Sequence, residues 1–192
     1  MTTLVVGNPS VFALESGITQ PYERLSLRAL GYFVVHVGGR VYGIRSPEAT
    51  MLACSLDAVR RRIAKRGTHC LSFVSDSAAD QIVAAFCAAM SGEGSRNNGI
   101  LGMEPSEFLD ALNFNEAVMA PDGDEAFDDG SYILHFDQGD SVRLIAFKNV
   151  GSGHDIASTI AEIVISAEMF YGILDEWQQA FQIAWENSLA AN

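Results

Sequence analysis

Basic residues are scarce in this chain, and past Arg66 they almost vanish. Beyond that point only Arg96, Arg143 and Lys148 stand against twenty acidic residues. Up to Arg66 nine basic residues outnumber four acidic ones, so the later part carries −17 against the first part's +5, for a formal net charge of −12 over 192 residues. A surface of that sign repels nucleic acid and attracts basic partners.

Other absences narrow the function further. No run of about 20 apolar residues occurs, so no membrane span is expected; the longest candidate, 156–165, is interrupted by Ser158, Thr159 and Glu162. The first nine residues lack the basic and apolar regions of a secretory signal. Cysteine occurs three times, as Cys54, Cys70 and Cys87. An odd, widely spaced set argues against a disulfide framework and for a reducing compartment, the cytoplasm. Cys54 and Cys87, set among alanines and other apolar residues, read as small buried thiols.

The motifs of cofactor chemistry are missing as well. There is no phosphate-binding loop, and Gly92-x-Gly94 and Gly151-x-Gly153 lack the third glycine of a dinucleotide fingerprint. His69-Cys70 has no second ligand pair at a zinc-like spacing, and His36 and His135 read as ordinary strand residues without an identifiable partner. The acidic run 122–130 places Ala126 and Phe127 where a calcium loop needs an oxygen ligand and a glycine. No cofactor and no metal are expected.

What is present is a foldable core. The chain is 48 % hydrophobic and 19 % charged, ordinary for one globular domain spanning 1–192. Strand-like runs at 11–18, 25–37 and 40–44 surround Gly38-Gly39, a hairpin signal. Ser46-Pro47 has the chemistry of a helix start, ahead of Met51, Leu52, Leu56, Val59 and Ile63 at helical spacing; Ser55 is a point where this helix could divide. Arg60, Arg61, Arg62, Lys65 and Arg66 close it, where cations complement the helix dipole, and Gly67 suits a C-cap. A second helix is expected from about Asp76 to Met90, a loop over 91–99 and a short helix over 105–112. The stretch 113–130 reads as irregular and acidic. A second hairpin joins 131–136 to 141–147, followed by a strand over 160–165. Ser166 then caps a long helix whose apolar face is Phe170, Ile173, Leu174, Trp177, Phe181 and Trp185. The expected class is α+β, with antiparallel hairpins carrying helices on one face.

Candidate functional residues fall in two places. Gly151-Ser152-Gly153-His154-Asp155 sets Ser, His and Asp side by side, which raises a small hydrolase acting through Ser152 or His154. Catalytic triads are assembled from separate segments, however, and the nucleophile elbow is absent, so a polar loop is the better reading. The acids Asp122, Asp124, Glu125, Asp128 and Asp129 form the densest negative stretch, with Asp137 and Asp140 beyond them. They are the residues expected to face a basic partner. A self-associating, non-catalytic module using the last helix is a further alternative.

Two stretches carry a resemblance. One is Gly7-Asn8-Pro9-Ser10-Val11-Phe12-Ala13-Leu14-Glu15. The other runs from Phe136 to Phe147 and continues in Phe170-Tyr171-x-x-Leu174-x-x-Trp177-x-x-x-Phe181-x-x-x-Trp185. Together they resemble the immunity proteins of bacterial polymorphic toxin and contact-dependent inhibition systems, in particular the immunity family numbered forty-two. Its members tend to open with Gly-Asn-Pro and Phe-Ala-Ile-Glu; Leu14 stands here for the isoleucine. The resemblance implies a non-enzymatic cytoplasmic protein that binds the C-terminal domain of a cognate toxin; from the acidic charge and the lack of an apolar span, no nucleic-acid or membrane partner is expected. It supplies no catalytic residue, and its motif residues are expected to determine the fold. The oligomeric state is left open, with a monomer favoured.

Overall fold

The computed structural model describes residues 2–91, 103–121, 125–151 and 155–191. Two antiparallel sheets are built in chain order. The first joins β1 (Thr2–Asn8), β2 (Phe12–Pro21), β3 (Ala29–Val37) and β4 (Arg40–Tyr42), and β5 (Thr50–Met51) also pairs with β3. The second joins β6 (Val118–Ala120), β7 (Ser131–Gln138), β8 (Ser141–Lys148) and β9 (Ala161–Ser166). The helices are α1 (Leu52–Ala64), α2 (Ala79–Ser91), α3 (Pro105–Phe114) and α4 (Ala167–Ala190). The class is α+β, as the sequence led us to expect.

Periodicity decides what each element buries. On α4, Phe170, Leu174, Trp177, Phe181 and Trp185 are all buried, the stripe that spacing of three and four produces. The Ser166 hydroxyl accepts from the Met169 N–H at 3.2 Å and caps the helix. That apolar face packs on Phe12, Leu14, Phe33 and Val35 of the first sheet and on Val142 and Leu144 of the second. The opposite face of the second sheet offers Leu134, Phe136, Ile145 and Phe147 to Ile82 and Phe86 of α2 and to Phe108 and Leu112 of α3. The second sheet is thus covered on both sides, not on one as expected. Its strands explain why: β7 and β8 are apolar at both phases of the alternation, so neither face suits water.

The first hairpin turns at Gly38 and Gly39, both at positive φ (58° and 79°), as a tight primed turn requires. The second turns at 139–140, joining β7 to β8 in the register Gln138 opposite Ser141.

Several expectations are corrected. Residues 46–49 form a turn, and the helix begins only at Leu52. Thr50 and Met51 instead pair with Gly31 and Leu30, so the ladder of β3 outcompetes the local capping chemistry of Ser46-Pro47. Ser55 does not divide α1; it is buried within it. Lys65, not Gly67, occupies the C-cap. The stretch 113–130 holds ordered structure: β6 and a 3-10 turn, Glu125–Phe127. A strand at Thr2–Asn8 precedes the first one expected. Cys54 is exposed and Cys87 half-buried, against the expectation of buried thiols, and none of the three cysteines forms a disulfide.

Candidate functional site

The expected acidic residues separate into distinct environments. Glu125 and Asp128 are exposed. Between them Ala126 and Phe127 are buried, and the Ala126 carbonyl accepts the Ile44 N–H at 2.8 Å. The turn is therefore pinned to the first sheet while its acids face outward. Asp129 is half-buried and committed: it accepts the Ser131 N–H at 3.1 Å and pairs with Lys148 at 2.6 Å. Asp122 and Asp124, like Ser152 and His154, lie outside the described residues. Asp140 is exposed at the turn between β7 and β8. The eight residues of β7 separate it from Asp128 by about 27 Å, at roughly 3.4 Å per residue. Dense acid along the chain is not one patch in space.

Asp137 is a correction. Its side chain is 3 % exposed, and its carboxylate is the centre of a buried network instead of a surface contact. The Tyr171 hydroxyl donates to it at 2.9 Å, and the His69 backbone N–H donates at 3.1 Å. His135, two residues earlier on the same strand face, brings Nε2 to 3.3 Å from Oδ1, without the alignment of a full hydrogen bond. On the other side of that ring, Arg62 Nη1 lies 2.6 Å from Nδ1. Arg62 also donates to the carbonyls of Glu116 and Val118, and its aliphatic stem is buried with it. His69 donates from Nδ1 to the Asn115 carbonyl at 2.9 Å and lies 4.6 Å from the His135 ring, centroid to centroid.

The electrostatics follow from burial. Desolvation pushes the His135 imidazole down to about 3, and Arg62 and His69 push the same way against the opposing pull of Asp137. Burial works to raise the Asp137 carboxyl, yet His135, the Tyr171 hydroxyl and the His69 N–H hold it down at about 2. His69 is lowered by burial and by Arg62. The Tyr171 hydroxyl is raised by burial and by its bond to Asp137. The state these shifts describe is an anionic Asp137 beside two neutral imidazoles, balanced by the Arg62 guanidinium.

A second buried carboxylate, Glu15, is treated in the same way. It accepts from the Tyr32 hydroxyl at 2.9 Å, from His36 Nε2 at 2.9 Å and from Arg45 at 2.6 Å. Burial raises its carboxyl, but those donors outweigh it and the net shift is downward. His36 and His135, taken from the sequence as ordinary strand residues, both have buried partners. Both networks tie strands and helices together, and Arg62 of the first also lines a cavity beside α1. They also draw on the motif residues Glu15, Asp137 and Tyr171.

Sequence reasoning missed one surface. On α3, Glu107, Asp110 and Phe114 are exposed and follow one another at i, i+3 and i+7, which places them on one helix face. Phe114 is 88 % exposed, the most exposed large apolar side chain among the described residues. The spacing was there to be read, but the helix was expected to stop before Phe114.

A family model described as immunity protein 42 matches residues 1–180. The chain belongs to that family. Its function is therefore that of an immunity protein, which neutralises a cognate toxin, and membership implies an inhibitor. Among solved structures, CdiI from Burkholderia dolosa AUO158 is similar in fold, with a TM-score of 0.57 at 17 % identity over 92 % of this chain and 99 % of that one. No curated protein matches. No helix among the described residues is long and apolar enough to cross a membrane.

Proposed function

We propose that this immunity protein works in the cytoplasm by docking an acidic surface onto a basic face of the toxin's C-terminal domain and covering the active site there. The contact set is Glu125 and Asp128, with Asp122, Asp124 and Asp129 beside them in sequence. Asp140, at the far end of β7, serves a separate contact.

The observation that carries this reading is the pinned 3-10 turn. Ala126 and Phe127 anchor it in the core, so Glu125 and Asp128 are held out on a rigid base and little ordering entropy is lost on binding. A net charge of −12 adds long-range attraction for a basic partner, which speeds encounter and suppresses unrelated acidic ones. Nuclease toxins, whose clefts are basic because they hold phosphates, suit such an inhibitor. Phe114 on the acidic face of α3 supplies the aromatic anchor that interfaces favour.

Co-expression tests the reading. Cells producing the toxin domain are protected by the wild-type chain and lose protection with the Glu125→Lys/Asp128→Lys protein, whose thermal midpoint is unchanged. Full protection by that variant refutes the acidic contact.

A further inference from the structure

A cavity of about 490 Å³ opens between α1, the end of α2, α3, β6 and the 3-10 turn. Protein interiors pack at crystal-like density, with few voids larger than a water molecule. The volume instead falls within the roughly 300–1,000 Å³ of small-molecule sites. Its walls are apolar and aromatic: Phe33, Val59, Phe86, Leu112 and Phe127 line it, and all five are buried. It reaches solvent at Met90, which is 54 % exposed.

The polar end is cationic. Arg61 and Arg62 line it, together with Glu116. Glu116 pairs with Lys65, and that bond, with Arg61 and Arg62 contributing, holds its carboxyl below the usual range despite some desolvation. Its charge is thereby offset locally. Arg62 is turned toward His135 and two backbone carbonyls, which leaves exposed Arg61 as the cation at the rim. This is the basic cluster 60–66 that the sequence sets apart. In a chain of net charge −12, it is where an anion meets least repulsion.

We propose that this cavity binds a small anionic amphiphile, an aromatic or aliphatic carboxylate or sulfonate whose apolar body fills the space among Phe33, Phe86 and Phe127 and whose head lies at Arg61. The cavity borders the toxin-binding surface proposed above, since Phe127 of the 3-10 turn and Leu112 of α3 line it, but the binding of a small anion there does not rest on that reading. A volume of this size exceeds what one inserted toxin side chain would fill, so a free small molecule is the occupant the geometry favours.

The probes are 1-anilinonaphthalene-8-sulfonate and its uncharged analogue N-phenyl-1-naphthylamine, titrated into the native full-length protein. The sulfonate is expected to bind saturably at one site per chain with blue-shifted emission. Ala58→Trp, at a residue lining the cavity, should abolish that binding. Met90→Trp, at the exposed rim, should also weaken it and serves where Ala58→Trp fails to fold. Arg61→Glu should weaken the sulfonate by about threefold, the worth of an exposed ion pair, and leave the uncharged probe unchanged. Absence of saturable binding, or binding indifferent to the cavity variants, overturns the site. Equal effects of Arg61→Glu on both probes overturn the anionic head. Loss of toxin binding by Met90→Trp in a protein that takes up neither probe assigns the cavity to the toxin and overturns the proposal.

Discussion

Arg62 Nη1 sits 2.6 Å from His135 Nδ1, and this contact decides where the imidazole proton lies. Guanidinium only donates, so Nδ1 accepts, and the proton of the neutral ring is on Nε2, facing Asp137. A chain Arg62–His135–Asp137–Tyr171 thereby links α1, β7 and α4 through the core. Loss of any member leaves a buried polar group without its partner, which costs more than the bond itself contributes.

Stability should fall on acidification. His135 titrates near 6.5 when unfolded and at about 3 in the fold, so within that window the unfolded chain binds a proton that the folded one excludes. The fold keeps its full stability above about pH 6.5 and loses it as the pH drops toward 3, by on the order of 4 kcal/mol for this group. Asp137, lowered from 3.8 to about 2, adds a loss of the same sign below its unfolded value. Urea unfolding at pH 7 and pH 4.5 measures this. The midpoint should drop for the wild type and drop less for His135→Gln; parallel losses would sink the assignment to His135.

Tyr171→Phe removes the hydroxyl from Asp137 and little else, because Arg66 still lies over the ring, 5.0 Å from its centroid. The expected cost is about 2 kcal/mol, the value of a hydrogen bond to a buried charge. Differential scanning calorimetry should show a midpoint lower by several degrees. An unchanged midpoint means that the Asp137 contact contributes nothing net.

Gly31→Ala should be among the most damaging single-methyl changes. A Cβ there would overlap the carbonyl oxygen of Gly17 on the neighbouring strand, which a backbone ladder cannot yield without moving. A loss at or above the upper end of about 1–3 kcal/mol is expected. Gly39→Ala meets no atom within 4 Å and bears only the strain of its positive φ. Chemical denaturation of the pair should rank Gly31→Ala as the worse.

Phe114→Ala is expected to leave folding intact, since the ring is exposed. Calorimetric titration with the toxin domain should nevertheless show weaker binding by about 2 kcal/mol, the scale of an aromatic hot spot. Unchanged affinity would remove α3 from the interface.

Long periodic elements were legible in the sequence, and long-range pairings were not. The stripe Phe170 to Trp185 announces α4, and Gly38-Gly39 announces its hairpin, because each signal is contained in one segment. β5 was invisible because Thr50 and Met51 are strand only through β3, some twenty residues earlier. Arg62 looked like one of five helix-end cations, yet its partner His135 is 73 residues away. One local clue existed: His135 and Asp137, at i and i+2, share a strand face with inward-pointing Ile133. The acidic stretch divides in space for a related reason, since β7 carries Asp140 away from Asp128 and takes Asp137 into the core.

The most direct test of the central claim is the association rate of the toxin domain with wild type and with Glu125→Lys/Asp128→Lys, measured by stopped flow across ionic strength. An acidic docking surface predicts a wild-type rate that falls steeply with salt, and a variant that is slower at low salt and converges with wild type as the charges are screened. Superimposable rates at low salt would contradict it.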